Sequence, residues 1–177
     1  MPIKTLQDLF INELSDINSA EKQLSKALPR MARAAEDPAL IAAFEQHFEE
    51  TQGQLERIDQ VVEAGNFKLK RIKCAAMEGL VEEAKEIIDE IPKGPVRDVA
   101  LVGAAQRVEH YEIAGYGTLV ALAKTLGHDV AASTLHATLE EEKATDIKLT
   151  ELAKTTINRK ALPVSYTHLT LPTIYSV

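Results

Sequence analysis

The chain has 177 residues, 45% apolar and 27% charged, with a net charge of −7, no Trp and one cysteine, Cys74. That is the composition of a single folded domain with a sizeable core. The acidic balance argues against nucleic acid as a partner, and no apolar run is long enough to cross a membrane. One cysteine forms no internal disulfide, and MPIKTLQDLF carries no signal-peptide core, so a reducing cytoplasm is the expected compartment.

Thr5 followed by Asp8 predicts a helix start, and an apolar rhythm runs from there, giving a first helix over 4–34 that Pro29 should kink near Leu28. Asp37 and Pro38 open a second helix, 38–64, which AGN closes at Gly65. The segment 67–92 places Leu69, Ile72, Ala76, Leu80, Ala84, Ile87 and Ile91 at helical spacing, predicting a shorter amphipathic helix. Within it the basic run KLKRIK meets the acidic EEAKEIIDE, which reads as a solvated face. Pro95 opens a third long helix, 95–126, ended at Gly127, and a fourth runs over 129–159. Strand alternation and hairpin turns are missing. Four long helices with one long central connection give an all-α, ferritin-like four-helix bundle with a fifth, shorter helix in the crossover.

The last seventeen residues, ALPVSYTHLTLPTIYSV, contain no charged residue and lose the helical rhythm. PVSYTHLTLPT resembles a translated sequencing adaptor. The expected division is therefore a bundle over 1–162 and a non-native extended tail over 163–177, so His168 is set aside.

The inward stripes contain acids. The first helix gives Phe10, Leu14, Ile17, Glu21, Leu24, Leu28 and Met31. The third gives Val102, Ala105, Glu109, Glu112, Tyr116, Leu119 and Ala123, and the fourth Ala131, Leu135, Thr138, Glu142, Thr145 and Leu149. The second offers Leu40, Phe44, His47, Thr51, Leu55, Ile58 and Val62, flanked on the His47 side by Glu50 and Gln54. Glu21, Glu50, Glu109 and Glu142 lie within about two residues of their helix centres, roughly 3 Å of rise, so antiparallel helices bring them to one level.

Ionised carboxylates in a dry core cost on the order of several kcal/mol each. Either they hold protons or cations neutralise them, and no Lys or Arg lies on the third and fourth inward stripes. Two divalent ions would balance the charge, and oxygen donors with one imidazole suit iron or manganese. The candidate ligands are Glu21, Glu50, Glu109, Glu112 and Glu142, with His47 as a further one. A buried acid satisfied by its neighbours is the plainer reading of any single position; four at matched depth favour metal. Tyr116 reads as packing with a possible hydrogen bond to the site, Asp146 as support from outside it, and Cys74 as inert. Glu140 and Glu141 read as surface, and Tyr111, His110, His128 and His136 have no evident partner.

FINELSDINSAEKQL, FEETQGQLERIDQVVE, KRIKCAAMEGLVEEA, VEHYEIAGYGTL and LEEEKATDIKLT closely resemble the bacterial YciE/YciF ferritin-like family over about residues 3 to 160. The resemblance implies a five-helix ferritin-like fold, a role in stress responses, homodimers, and a di-metal centre of the ferroxidase kind that meets an oxidant such as oxygen or peroxide. The Glu-x-x-His pairs of many di-iron bundles are replaced here. Gly53 follows Glu50 by three and Thr145 follows Glu142 by three, while His47 precedes Glu50 and Glu109 pairs with Glu112. Two alternatives stay open: a non-enzymatic dimeric helical module whose acids share protons, and a di-manganese peroxide dismutase.

Overall fold

The computed structural model describes residues 3–163, which contain helices and no strand. The tail proposed over 163–177 lies, apart from the exposed Pro163, outside the described residues. Helix α1 spans Leu6–Ala34, α2 Pro38–Gly65, α3 Ala75–Glu90, α4 Pro95–Leu126 and α5 Asp129–Leu152. The last of these continues through a π-helical turn, Ala153–Ile157, into the short α6, Asn158–Lys160, where one uninterrupted helix was expected.

Local chemistry sets the ends. Thr5 Oγ1 accepts the Asp8 N–H at 3.0 Å and Asp8 returns a carboxylate oxygen to the Thr5 N–H at 3.0 Å, a reciprocal cap that starts α1. The helix continues through Pro29, which has no N–H to give the Ser25 carbonyl. Asp37 caps α2 by accepting the Ala39 N–H at 2.9 Å. The left-handed residue ending α2 is Asn66 (φ 49°), one position beyond the expected Gly65. Phe67 N–H reaches Val62 O and Asn66 N–H reaches Glu63 O, the paired closure that Gly127 and His128 repeat at the end of α4.

The crossover departs from its expected form. Residues 67–74 are irregular, and the helix begins only at Ala75, with the Cys74 sulfur accepting the Met77 N–H at 3.4 Å. Ser15 and Ser19, one turn apart on α1, accept the N–H groups of Lys70 and Cys74, each at 2.9 Å. Gln23 Nε2 donates to the Cys74 carbonyl at 3.0 Å. These side chains give the segment's backbone the partners a helix would otherwise supply.

Around the bundle the order is α1, α2, α5, α4, with α3 laid over the groove between α1 and α4. The apolar core is in two parts. One holds Leu24, Leu28 and Met31 with Leu40, Phe44, Leu101, Ala105 and Leu149; the other holds Phe10, Leu14 and Ile17 with Ile58, Tyr116, Leu119 and Leu135. On each long helix the polar residues predicted at mid-length fall between these two parts.

Candidate metal centre

Four helices contribute to the layer between the two apolar clusters. Glu21 comes from α1, His47, Thr51 and Gln54 from α2, Glu109 and Glu112 from α4, and Glu142 and Thr138 from α5; all are buried. Spacings of three and four keep each on the inward face, and the neighbouring Leu and Phe residues hold that face against solvent. His47, Glu109, Glu112 and Glu142 offer one ligand atom each, all within 4.8 Å of one another. His47 Nε2 stands 3.1 Å from Glu109 Oε1, and His47 Nδ1 3.8 Å from Glu50 Oε2.

Two predicted ligands lie apart from that group of four. Glu21 is fully buried, and one of its oxygens accepts the hydroxyl of Tyr116, equally buried. Glu50 sits at the edge, its side chain 27% exposed, accepting Gln46 Nε2 at 2.7 Å and Thr145 Oγ1 at 3.4 Å. Asp146 stays at the rim of α4 and α5, where Gln106 donates to it at 3.0 Å and His110 lies 3.3 Å away.

Burial dominates the electrostatics. It lifts the Glu21 carboxyl to about 7, against the Tyr116 hydrogen bond that lowers it. Burial also raises Glu112 well above the usual carboxylate range, and the charges of Glu21, Glu142 and Glu109 add to the effect. Glu142 is raised by burial too, with His47 opposing and Glu109 reinforcing. Burial disfavours the charged form of His47, yet the surrounding acids, Glu109 foremost, leave it well above its ordinary value. Glu50 moves the other way, lowered first by its contact with His47.

The donor set fits a hard or borderline divalent cation. Both oxygens of Glu109 and Glu112, the second oxygens of Glu21 and Glu142, and both His47 nitrogens are buried without hydrogen-bond partners. Among the described residues no Lys or Arg pairs with any of these four acids. Unpaired buried oxygens are costly, and a cation bound at about 2.0–2.2 Å would take their lone pairs at once. Oxygen donors with a single imidazole are those that iron and manganese favour.

Several contacts escaped the sequence reading. Gln54 Nε2 donates to Glu142 and, at 3.2 Å, to Glu141. Glu141, expected on the surface, is half-buried and held by Arg57, whose NH1 donates to it at 2.7 Å and to Thr138 Oγ1 at 3.0 Å. Arg57 follows Glu50 by seven residues, two turns along the same side of α2, which was the available signal. Cys74 is an N-cap, and its sulfur lies 3.0 Å from the Tyr111 hydroxyl, which donates to Asp16. His128 lies 2.8 Å from Gln7 and packs on Phe10 and Phe67, while the exposed His136 stands 4.0 Å from Glu140.

Comparison with known proteins places this chain in a family. The family described as "Domain of unknown function (DUF892)" matches residues 5–162. Protein YciF of Escherichia coli (strain K12) is 60% identical over 162 residues, covering 91% of this chain and 98% of that one. The chain belongs to the YciF family. The crystal structure of the E. coli stress protein YciF superposes with a TM-score of 0.86, covering 89% of this chain and 100% of that one. A second relative in the family's fold, YcfI of Rhodopseudomonas palustris, is 47% identical with a TM-score of 0.81, covering 84% and 94%. A Xanthomonas campestris protein at 24% identity, with a TM-score of 0.68 over 85% and 92%, shares the fold. The all-α bundle expected from the sequence is thus the family's fold, and no described helix is long and apolar enough to cross a membrane.

Proposed function

We propose that this chain binds two iron or manganese ions at mid-bundle and catalyses ferroxidase-type oxidation of Fe(II), as part of a stress response like that for which its E. coli relative is named. The observation that carries this reading is the convergence of four buried carboxyls and one imidazole, most of their polar atoms unpartnered, between two apolar clusters. His47, Glu109, Glu112 and Glu142 would hold one ion. Glu21, whose charge acts on Glu112, would turn its free oxygen to the second. Iron held by these residues would supply one-electron redox chemistry, through which two Fe(II) with two protons would reduce one oxygen molecule to hydrogen peroxide.

The protein's own part is to bind, orient and shield. Tyr116 fixes the rotation of Glu21 by donating to one oxygen, and Gln54 does the same for Glu142. Leu24, Ile17, Leu101 and Leu135 close the layer above and below, which keeps bulk water out. Loading must release the protons that burial keeps on Glu112 and Glu142, so affinity should fall as the pH is lowered.

The test is anaerobic titration with Fe(II), followed by exposure to oxygen. About two ions per chain and oxygen consumption are expected, with both lost in the double variant Glu109→Ala, Glu142→Ala. Absence of binding, or binding indifferent to that double change, overturns the reading. Oxygen evolution from peroxide by the manganese-loaded protein would select dismutation instead. One observation favours a second reading, a non-enzymatic helical module: the raised carboxyls of Glu112 and Glu142 can stay neutral by keeping protons.

A further inference from the structure

The buried layer is walled differently on its sides. Between α1 and α4 the wall is tight: Ile17 Cδ1 takes up the space a Cβ on Gly115 would need, Tyr116 is fully buried, and α3 covers the groove. Across the ring, the seam between α2 and α5 is polar along its middle and has no helix laid over it among the described residues. Gln46, Glu50, Gln54 and Arg57 follow one another at intervals of four, four and three on α2. Facing them, Thr145 donates to Glu50 at 3.4 Å, and Glu141 accepts from Gln54 at 3.2 Å and from Arg57.

Here polar groups succeed one another from the half-exposed rim to the buried acids. Glu50, 27% exposed, lies 3.8 Å from His47 Nδ1; His47 is 3% exposed and has no hydrogen-bond partner at either nitrogen. His47 Nε2 in turn stands 3.1 Å from Glu109. On the other half of the seam Arg57 grips Glu141 through both guanidinium ends, which closes that half and leaves the Glu141 carboxylate already paired. The way in for a cation is therefore the half at Glu50, where Thr145 reaches Glu50 only at 3.4 Å. The other cross-seam contact there, Lys148 Nζ to Gln46 Oε1 at 2.5 Å, joins two exposed side chains at the outer surface.

We propose that the seam between α2 and α5 is the port through which a divalent cation reaches the buried acids, with Glu50 as its first protein ligand and the Arg57–Glu141 pair as the fixed post beside it. This rests on the metal-binding reading above. Glu50 becomes an entry group rather than a permanent ligand, in keeping with its place outside the group of four. An exposed carboxylate before a buried acidic site raises the capture rate of cations, and losing such a charge slows association by roughly tenfold or more.

The experiment is stopped-flow mixing of the metal-free protein with Mn(II), free Mn(II) being followed by a fluorescent chelator, alongside equilibrium stoichiometry. Glu50→Gln is expected to load about tenfold more slowly while reaching the same number of ions per chain. Thr145→Leu, which adds bulk at the mouth and removes no charge, should also slow loading. Glu140→Gln, an exposed acid of α5 away from the seam, should load at the parent rate. Loading of Glu50→Gln at the parent rate overturns the port, and so does loss of an ion at equilibrium, which would make Glu50 a permanent ligand. If the parent chain takes up no Mn(II) or Fe(II) at all, the metal-binding reading itself falls, a result distinct from both. Melting of the metal-free variants alongside the parent separates slow loading from misfolding.

Discussion

Glu112 shows what the layer costs a chain without metal. Both its oxygens are buried and unpartnered, and its neighbours are acids. An amide at that position could donate to those neighbours where a carboxylate repels them. In the presence of chelator at neutral pH, Glu112→Gln should raise unfolding stability by about 1–3 kcal/mol, because folding the parent must put a proton on that raised carboxyl and the amide needs none. With Mn(II) the order should reverse, because the variant lacks a ligand; paired denaturant titrations check both signs. The depth and inward phase of Glu21, Glu109, Glu112 and Glu142 were legible because each interrupts a regular apolar stripe near a helix centre. Glu50 was less so: the wide face of α2 allowed several rotations, and the fold turns Gln54 inward while leaving Glu50 at the rim. Arg57 could be placed on the Glu50 side of α2, but not paired with Glu141, since partners 84 residues apart in sequence meet only once α2 and α5 are side by side.

At the scale of elements, the crossover is held by α1 rather than by its own helix. Leu69 and Ile72 fit helical spacing, but tertiary hydrogen bonds to Ser15 and Ser19 outweigh that local rhythm and keep 67–74 out of a helix. Ser19→Ala leaves the buried Cys74 N–H without its acceptor, so a loss of about 1–3 kcal/mol and faster proteolysis within 67–74 are expected. The junction of α1 and α2 is clasped in a similar way. Asp98 of α4 accepts the N–H groups of Glu36 and Asp37 at 2.9 and 2.8 Å, and Asp37 pairs with Lys160 at 2.6 Å. The Lys160 hydrogen bond, followed by the N-cap bonds, holds the Asp37 carboxyl below its ordinary value. A carboxyl lowered in the folded state adds stability above its unfolded value, and this is lost as the pH falls through the folded one. Asp37→Asn keeps the cap but loses the pairing. The parent's advantage should be level above about pH 5 and shrink below about pH 4, as urea titrations across that range would show. Its size should be about 1 kcal/mol or less, because Lys160 is 55% exposed and the pair is screened.

For the whole molecule, the two apolar clusters are joined through a plate of acids, so the cohesion of the bundle depends on what neutralises that plate. In the metal-binding reading, cations that bind only the folded chain add stability by mass action, about 2.7 kcal/mol per site at a hundredfold excess over Kd. A domain of this length shifts by roughly 2–4 °C for each kcal/mol. Saturating Mn(II) should therefore raise Tm by about 5–10 °C for one site and further for two, and chelator should reverse the shift. In the protonated-module reading the acids need no cation, and Tm stays where it is when metal is added or removed. The Glu109→Ala, Glu142→Ala double variant divides the two more sharply. Under the first reading it loses the metal-induced shift; under the second, metal moves neither chain. A metal-induced rise in the parent that survives in the double variant would mean that the cation binds elsewhere, and that the plate is not its site.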